Sequence, residues 1–338
     1  MFRDILSLVA SIRTRLTIRN ESPDCRIERD QNAPRRGWRE GPLVVLCHGW
    51  PESWYSWRHQ LKALAEAGYR VVAPDQRGYG KTDRPEAVKD YNILQLSGDI
   101  LGLVDSLGET EAVIVGHDWG SAVAWFCALL RPDIFRAVVL LSVPYIRRSW
   151  VDIRPTEAMK QAVGEKQFYQ LYFQEPGKAE AEFEADVRKT ILTVLYSASG
   201  DVPPDKRWRF LFDKSETFLD CCTVPETLPA WLTEADLEFC TEEFKRTGFR
   251  GGLNWYRNLD RNWELTPFLS GAKIRQPSLF VAGEFDPVVT IYQQAFDSLE
   301  ETMPGLTKKV LVPSAGHWIQ QERPNEVNEL FIEFLASL

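Results

Sequence analysis

The sequence predicts an α/β protein in which a doubly wound, mostly parallel sheet carries an inserted α-helical lid. Strand-like and helix-like patterns alternate between residues 43 and 143, which is typical of parallel β-α-β units. From 146 to 263 the pattern is helical, rich in aromatic residues and poor in strands, and strands return afterwards. The predicted domains are a first part of the core at 1–145, a lid at 146–263 and a second part of the core at 264–338.

The predicted elements follow one another with short connections. The uninterrupted apolar run at 43–47 predicts a buried strand, and apolar residues at steps of three and four predict helices at 58–67 and 93–107. The remaining predictions are strands at 69–73, 112–115, 137–141, 278–283 and 309–312 and helices at about 121–130 and 326–335. Residues 21–41 are rich in charge, proline and arginine, so the first edge strands are only faintly indicated, at 16–18 and 25–27.

The composition excludes several classes of protein. With 338 residues and 44% hydrophobic content, the chain can build a sizeable core. Its net charge of -8 comes from 40 basic and 48 acidic residues without a basic patch, which argues against a nucleic acid partner. No run reaches the roughly 20 apolar residues that a membrane span needs.

The cysteines and the N-terminus indicate a cytoplasmic protein. The 6 cysteines lack the spacing of metal ligands, so we expect reduced thiols and no metal. The first ten residues contain a short apolar stretch, but they lack a small-residue cleavage site and carry Asp4. A cleaved secretion signal is therefore not expected.

Residues 116–120, Gly-His-Asp-Trp-Gly, follow an apolar strand and match the G-x-nucleophile-x-G elbow of α/β-hydrolases, with aspartate where serine is expected. Serine must be deprotonated before it attacks and suits acyl transfer. A carboxylate is already ionised at neutral pH and can displace a leaving group from saturated carbon. The sequence therefore predicts alkyl transfer to Asp118, followed by hydrolysis of the ester.

Hydrolysis of that ester needs a general base, and histidine is the side chain best poised near neutral pH. The chain has 4 histidines. His48 is held in a loop, His59 lies in a charged helix, and His117 is expected to point away from Asp118. His317 follows the last strand, where this fold places its base, so it is the predicted base.

A partner carboxylate is expected to orient the imidazole and stabilise its charged form. Asp286 follows the strand at 278–283, at the turn where this fold presents its acid. Glu284 lies two residues earlier, and alternation would place it on the same side. Chain order favours Asp286 only modestly over Glu284.

Two backbone N–H groups are expected to stabilise the oxyanion that forms when water attacks the ester. The residue after the nucleophile, Trp119, supplies one by rule. Trp50, in the segment His-Gly-Trp-Pro at 48–51, is placed to supply the other. On its own, a segment of this kind more often forms an ordinary turn through its glycine and proline. Only its occurrence together with the elbow at 116–120 indicates a role in binding the oxyanion. His48 and Pro51 are assigned to the substrate pocket.

The motifs at 48–51, 116–120 and 316–318 resemble those of the epoxide hydrolases of the α/β-hydrolase superfamily, over about residue 41 to the C-terminus. The resemblance implies an epoxide substrate and two lid tyrosines that hydrogen-bond the epoxide oxygen. The segments at 169–177 and 254–258 carry these roles onto Tyr169 and Tyr256. The competitors for the first role are Tyr172 and, less strongly, Tyr145 and Tyr196.

The chemistry gives an independent reason for such tyrosines. Opening an epoxide produces an alkoxide, a very strong base, so an acid must donate a proton as the C–O bond breaks, and a phenol can do so. A halide needs no proton, which separates this hypothesis from a haloalkane dehalogenase with the same aspartate nucleophile. The third hypothesis is a non-catalytic binding member of the fold. We expect no cofactor, and either a monomer or a lid-mediated homodimer.

Overall fold

The structure is a computed structural model that describes residues 41–148 and 152–338. The strands suggested at 16–18 and 25–27 lie outside these residues. Within the described part, the strands are β1 (Leu43–Cys47), β2 (Arg70–Val72), β3 (Ala112–His117), β4 (Phe135–Leu141), β5 (Gln167–Phe168), β6 (Leu211–Phe212), β7 (Ser278–Gly283) and β8 (Leu306–Val312).

The α-helices follow in chain order. They are α1 (Arg58–Glu66), α2 (Ile93–Ser106), α3 (Trp119–Leu130), α4 (Pro155–Val163), α5 (Tyr169–Tyr172), α6 (Lys178–Glu184), α7 (Val187–Ser197), α8 (Glu234–Thr247), α9 (Arg250–Tyr256), α10 (Leu259–Leu265), α11 (Pro287–Ile291), α12 (Gln293–Asp297), α13 (Leu299–Thr302), α14 (Ile319–Glu322) and α15 (Pro324–Ala336). Within the described ranges, no helix is both long enough and apolar enough to span a bilayer.

The central sheet is parallel, and its described strands lie in the order β2-β1-β3-β4-β7-β8. Side chains of β1 alternate between two apolar clusters. Val44 and Leu46 pack with α1 and α15 on one face, whereas Val45 and Cys47 pack with α2 and α3 on the other. Helices therefore cover both faces, which is why these strands carry continuous apolar runs. The predicted doubly wound α/β fold is confirmed.

The chain leaves the sheet after β4 and returns at β7, which pairs directly with β4 in the register Val138 to Ser278. We call residues 152–277 the helical insertion. Its described residues form α4 to α10 and one short antiparallel pair, β5 with β6. The insertion therefore begins after the carboxyl end of β4 and ends before the amino end of the neighbouring strand β7.

Several boundaries differ from the sequence-based prediction by one to three residues, and two of these differences have a clear physical reason. The last strand, β8, begins at Leu306 rather than at 309. It is an edge strand in which Thr307 and Lys308 are exposed, so its first half lacks the apolar signal of a buried strand. Helix α3 begins at Trp119 rather than near 121, because the turn at Asp118 passes directly from strand to helix.

Candidate active site

The elbow places Asp118 at the join between β3 and α3. Its backbone has φ 52° and ψ -121°, a positive φ that non-glycine residues rarely adopt. The two flanking glycines allow this turn. A Cβ on Gly116 would lie 2.1 Å from the carbonyl oxygen of Gly120, and one on Gly120 would lie 1.9 Å from that of Cys47. Close backbone packing thus holds the carboxylate at the carboxyl ends of the strands.

The Asp118 carboxylate is buried between one backbone donor and one imidazole. Its Oδ1 accepts a hydrogen bond of 2.8 Å from the backbone N–H of Trp50, and its Oδ2 lies 3.7 Å from Nε2 of His317. Burial alone would raise the pKa of this carboxyl. The attraction of His317 and the Trp50 N–H outweigh burial and lower the pKa, so Asp118 is ionised at neutral pH.

His317 is oriented by Asp286. Its Nδ1 lies 3.1 Å from Oδ1 and 3.2 Å from Oδ2 of that carboxylate, which also accepts from the N–H of Val288 at the start of α11. Burial disfavours the imidazolium, but the carboxylates of Asp286 and Asp118 outweigh burial and raise the pKa of His317 to about 10. Glu284, the competing acid, is exposed and accepts from the N–H of Ser314 instead.

Tyr169 and Tyr256 face each other, with ring centroids 6.1 Å apart. Tyr169 begins α5 and Tyr256 ends α9, and both side chains are buried. Tyr256 packs edge-on against Trp50 and Trp119, at 6.0 Å and 5.1 Å. Burial raises the pKa of both phenols well above the ordinary value, and the charge of Asp118 adds to this, so both are protonated at neutral pH.

The competing tyrosines have other contacts. The hydroxyl of Tyr172 donates to Glu182 at 2.8 Å, and that of Tyr145 donates to the carbonyl of Ala272 at 3.0 Å. Tyr196 is half-buried and does not line the cavity next to Asp118.

A single cavity brings the predicted nucleophile, base and phenols together. Among the described residues its wall consists of Trp50, Asp118, Tyr169, Val194, Ser197, Ala198, Trp208, Phe218, Cys222, Tyr256, Val288, His317 and Trp318. Most of these side chains are aromatic or aliphatic. Charged and phenolic groups therefore meet in an otherwise apolar space, where electrostatic interactions are strong.

The wall formed by these residues does not include His48 or Pro51, and their assignment to the substrate pocket stays a prediction. Both ring nitrogens of His48 bond backbone groups. Its Nδ1 donates to the carbonyl of Gly49 at 2.9 Å, and its Nε2 accepts from the N–H of Gln76 at 3.1 Å. The ring thus braces the loop that presents the Trp50 N–H.

Comparison with known proteins identifies the chain. The family described as the alpha/beta hydrolase fold matches residues 42–193. Epoxide hydrolase A of Mycobacterium tuberculosis is 48% identical over 297 residues, which cover 88% of this chain and 91% of that protein. Epoxide hydrolase B of the same species is 40% identical over 331 residues, covering 89% of this chain and 93% of that protein. The chain belongs to the epoxide hydrolase family.

Solved structures agree with this assignment. An epoxide hydrolase from an endophytic Streptomyces superimposes with a TM-score of 0.85 at 48% identity, covering 88% of this chain and 89% of that one. Epoxide hydrolase A from Mycobacterium thermoresistibile gives 0.83 at 50% identity, covering 90% and 93%. The resemblance drawn from the motifs is confirmed.

Beneath the nucleophile, this epoxide hydrolase contains a buried acid–imidazole pair that the sequence did not indicate. His117 Nδ1 lies 2.8 Å from Oε2 of Glu52, and its Nε2 donates to the backbone carbonyl of His317 at 2.8 Å. Glu52 also accepts from the N–H of Gly49 and from the side chains of Gln320 and Gln321. The sequence predicts that His117 points away from Asp118, but it does not identify the partner of His117, because Glu52 lies in no recognisable motif.

A second carboxylate supports the loop that carries His317. Glu322 accepts hydrogen bonds from the N–H groups of Gly316 at 2.9 Å and Trp318 at 3.0 Å. It also accepts from the N–H of Gly200 in the helical insertion, at 2.9 Å. One buried side chain therefore links the loop of the base in the epoxide hydrolase core to the insertion. Nothing in the sequence around Glu322 distinguishes it from an ordinary helical glutamate.

Proposed function

We propose that this epoxide hydrolase opens an epoxide through a covalent ester on Asp118 and releases a vicinal diol. One observation carries the proposal: an ionised carboxylate and two protonated phenols line the same largely apolar cavity, with a charged imidazole beside the carboxylate. A carboxylate nucleophile and phenolic acids in one small space fit ring opening.

In the first step, an oxygen of Asp118 attacks a ring carbon while the C–O bond on the other side breaks. The departing oxygen takes a proton from Tyr169 or Tyr256, and the second phenol donates a hydrogen bond to it. Both phenols line the same cavity as the carboxylate, and α5 and α9 carry them there. The products are a hydroxyl group and an alkyl ester on Asp118.

In the second step, the proton that His317 carries in the free enzyme passes to the tyrosinate and restores the phenol. His317 gives it up because ester formation removes one of the two negative charges that raise its pKa. The neutral imidazole then removes a proton from water, and the hydroxide oxygen attacks the ester carbonyl. The N–H groups of Trp50 and Trp119 hold the oxyanion. As it collapses, the departing alkoxide takes the proton from the imidazolium, which completes the diol. The new carboxylic acid then gives its proton to His317, which restores the Asp118 carboxylate and the charged imidazole of the free enzyme.

In the proposed mechanism the predicted lid at 146–263 supplies the proton donor and the second hydrogen-bond donor, since both phenols lie within it. Its residues Val194, Trp208 and Phe218 line the cavity, which favours an epoxide with an aryl or alkyl substituent. The steps described use side chains, backbone amides and water. Cytoplasmic location and the choice between a monomer and a lid-mediated dimer stay predictions.

A single turnover in water enriched in heavy oxygen tests the covalent route. With enzyme in excess, we expect the label to enter Asp118 and the first diol to be unlabelled, because that oxygen comes from the carboxylate. Asp118→Ala should abolish turnover, whereas His317→Gln should let the ester accumulate to a level visible by whole-protein mass spectrometry. Label in the diol from the first turnover would rule the route out.

A further inference from the structure

The side-chain amide of Gln170 lies between two phenol hydroxyls. Its Nε2 is 2.8 Å from the hydroxyl oxygen of Tyr169 and 2.9 Å from that of Tyr292. Gln170 is 5% exposed, so water does not compete strongly for these bonds. Nothing in the two-step mechanism above uses this amide, although it contacts one of the groups that would donate the proton.

The direction of these hydrogen bonds decides what the amide can do. An amide nitrogen carries two hydrogens and no acceptor, so both phenol oxygens accept. The hydrogen of the Tyr169 hydroxyl is then free to point into the cavity. Turning the amide over would let its oxygen accept from both phenols and would leave two buried N–H donors unpaired. Among the residues that the structure describes, the observed orientation leaves only the Oε1 of Gln170 without a partner, and a carbonyl oxygen is the cheaper group to leave unpaired.

We propose that Gln170 is a positioning residue for ring opening: it donates to the Tyr169 oxygen and so commits the Tyr169 proton to the epoxide. The hydroxyl oxygen of Tyr292 accepts from the second N–H of Gln170, and this hydrogen bond fixes the rotation of the amide. The inference rests on the proposed role of Tyr169 as proton donor. Donation from Gln170 also opposes the effect of burial, which raises the pKa of the Tyr169 phenol.

Backbone contacts support the geometry. The side chain of Gln174, one turn later, donates to the carbonyls of Gln170 and Tyr256, at 2.9 Å each. The segment that carries the amide is thereby tied to the helix that carries the second phenol. A fixed amide on a fixed backbone is what preorganised proton donation requires.

The test measures ester formation alone, with every variant built in a His317→Gln background so that the ester persists. The enzyme is mixed in excess with styrene oxide and quenched with acid, and whole-protein mass spectrometry gives the alkylated fraction with time. We expect Gln170→Leu to slow ester formation about tenfold when Tyr169 is present. In a Tyr169→Phe background the same change should have no effect, because the hydroxyl that it acts on is gone.

Gln170→Glu tests whether hydrogen-bond donation by the side chain matters, or only its size and shape. Glutamate has the same size but offers acceptor oxygens, which would draw the Tyr169 proton away from the cavity, so we expect it to be slower than Gln170→Leu. Tyr292→Phe should slow ester formation about threefold, since the amide loses only its second anchor. Thermal unfolding of each variant checks that the fold is intact.

The failures can be told apart. If the His317→Gln parent forms no ester, the proposed function fails and the inference fails with it. If the parent forms the ester but Tyr169→Phe alone leaves the rate unchanged, Tyr169 is not the proton donor and the inference fails. If both behave as expected but Gln170→Leu slows ester formation equally with and without the Tyr169 hydroxyl, only the inference is overturned. A Gln170→Glu rate at or above that of Gln170→Leu would also overturn it, since an acceptor would then serve as well as a donor.

Discussion

The charge on His317 depends on two carboxylates, one of which becomes a neutral ester in the proposed mechanism. Asp286 and Asp118 together hold the pKa of the imidazole at about 10, well above its ordinary value. In the free enzyme the base is therefore protonated at neutral pH and stabilises the ionised nucleophile. Neutralising Asp118 must lower the pKa of His317. In the proposed mechanism, the neutral imidazole that acts as the base therefore forms only after the ester on Asp118 has formed.

This coupling can be measured without substrate. In Asp118→Ala, we expect the pKa of His317 to fall well below 10, because the attraction of Asp118 is lost while Asp286 remains. Titration of the histidine ring protons by NMR measures the shift. His59 is the internal control, because burial and the charges of Arg58 and Asp236 shift its pKa and Asp118 does not. An unchanged His317 in this variant would contradict the coupling.

At the level of single residues, the sequence indicates the groups that sit in strong motifs. Asp118 and His317 follow from the elbow and from chain order. The choice between Asp286 and Glu284 does not follow, because alternation puts both on one side. In the structure the chain turns after β7, which leaves Glu284 exposed and brings Asp286 to His317. Such a turn depends on tertiary packing that no local pattern encodes.

At the scale of elements, the elbow depends on the close approach of β3, α3 and β1. Gly120→Ala should destabilise the protein by about 3 kcal/mol or more, because its Cβ would overlap the carbonyl of Cys47. Gly98→Ala is the matched control. Gly98 lies exposed within α2 with open space around it, so alanine should stabilise by about 0.5–1 kcal/mol. Urea unfolding measures both; equal effects would refute the steric argument.

The segments that carry the two phenols are held together by Arg257. Its side chain makes a two-pronged ion pair with Glu180, at 2.7 Å and 2.9 Å, and donates to the carbonyls of Phe173 and Glu175. The pair is buried, so loss of this geometry leaves a carboxylate without full compensation.

Arg257→Lys should therefore lower the free energy of unfolding by about 3 kcal/mol and reduce kcat. The control is Arg188→Lys, at an exposed pair with Glu234, which should change stability by less than about 0.5 kcal/mol. Chemical denaturation and steady-state kinetics test both. A loss at Arg188 as large as that at Arg257 would show that burial is not the cause.

Most of the sheet could be predicted from the sequence, and the short elements could not. A strand covered on both faces needs a continuous apolar run, so β1 and β7 are found with their observed bounds. The pair β5 with β6 has two residues in each strand, too few for any period to be visible. The sequence predicts that the insertion is helical. It does not predict how these helices pack over the cavity, because that packing depends on contacts distant in sequence.

At the scale of the whole molecule, Glu322 joins the core to the helical insertion. Burial raises its pKa to about 7, against the pull of the three backbone N–H groups that it accepts. A carboxyl whose pKa is raised in the folded state binds a proton on folding between its unfolded value and about pH 7. Its contribution to stability therefore grows as the pH falls from about 8 to about 5.

Glu322→Gln should be less stable than the parent at about pH 8, because an amide N–H would face backbone donors. The gap should widen by up to about 3 kcal/mol as the pH is lowered to about 5, since glutamine cannot take up the proton. Urea unfolding of the two proteins across this range measures the gap, and other titrating groups cancel in the difference. A gap that narrows as the pH falls would reverse the assigned sign.

Cys222 lies in the cavity wall, where its thiol would be exposed to alkylation by an epoxide. Epoxides are alkylating agents, and a thiolate in their path would be consumed with each encounter. Burial raises the pKa of the Cys222 thiol far above its ordinary value, and the thiol donates to the carbonyl of Phe218. The sulfur thus stays protonated, while in the proposed reaction the carboxylate of Asp118 takes up the electrophile. We therefore expect the enzyme to turn over epoxides repeatedly without alkylation of Cys222.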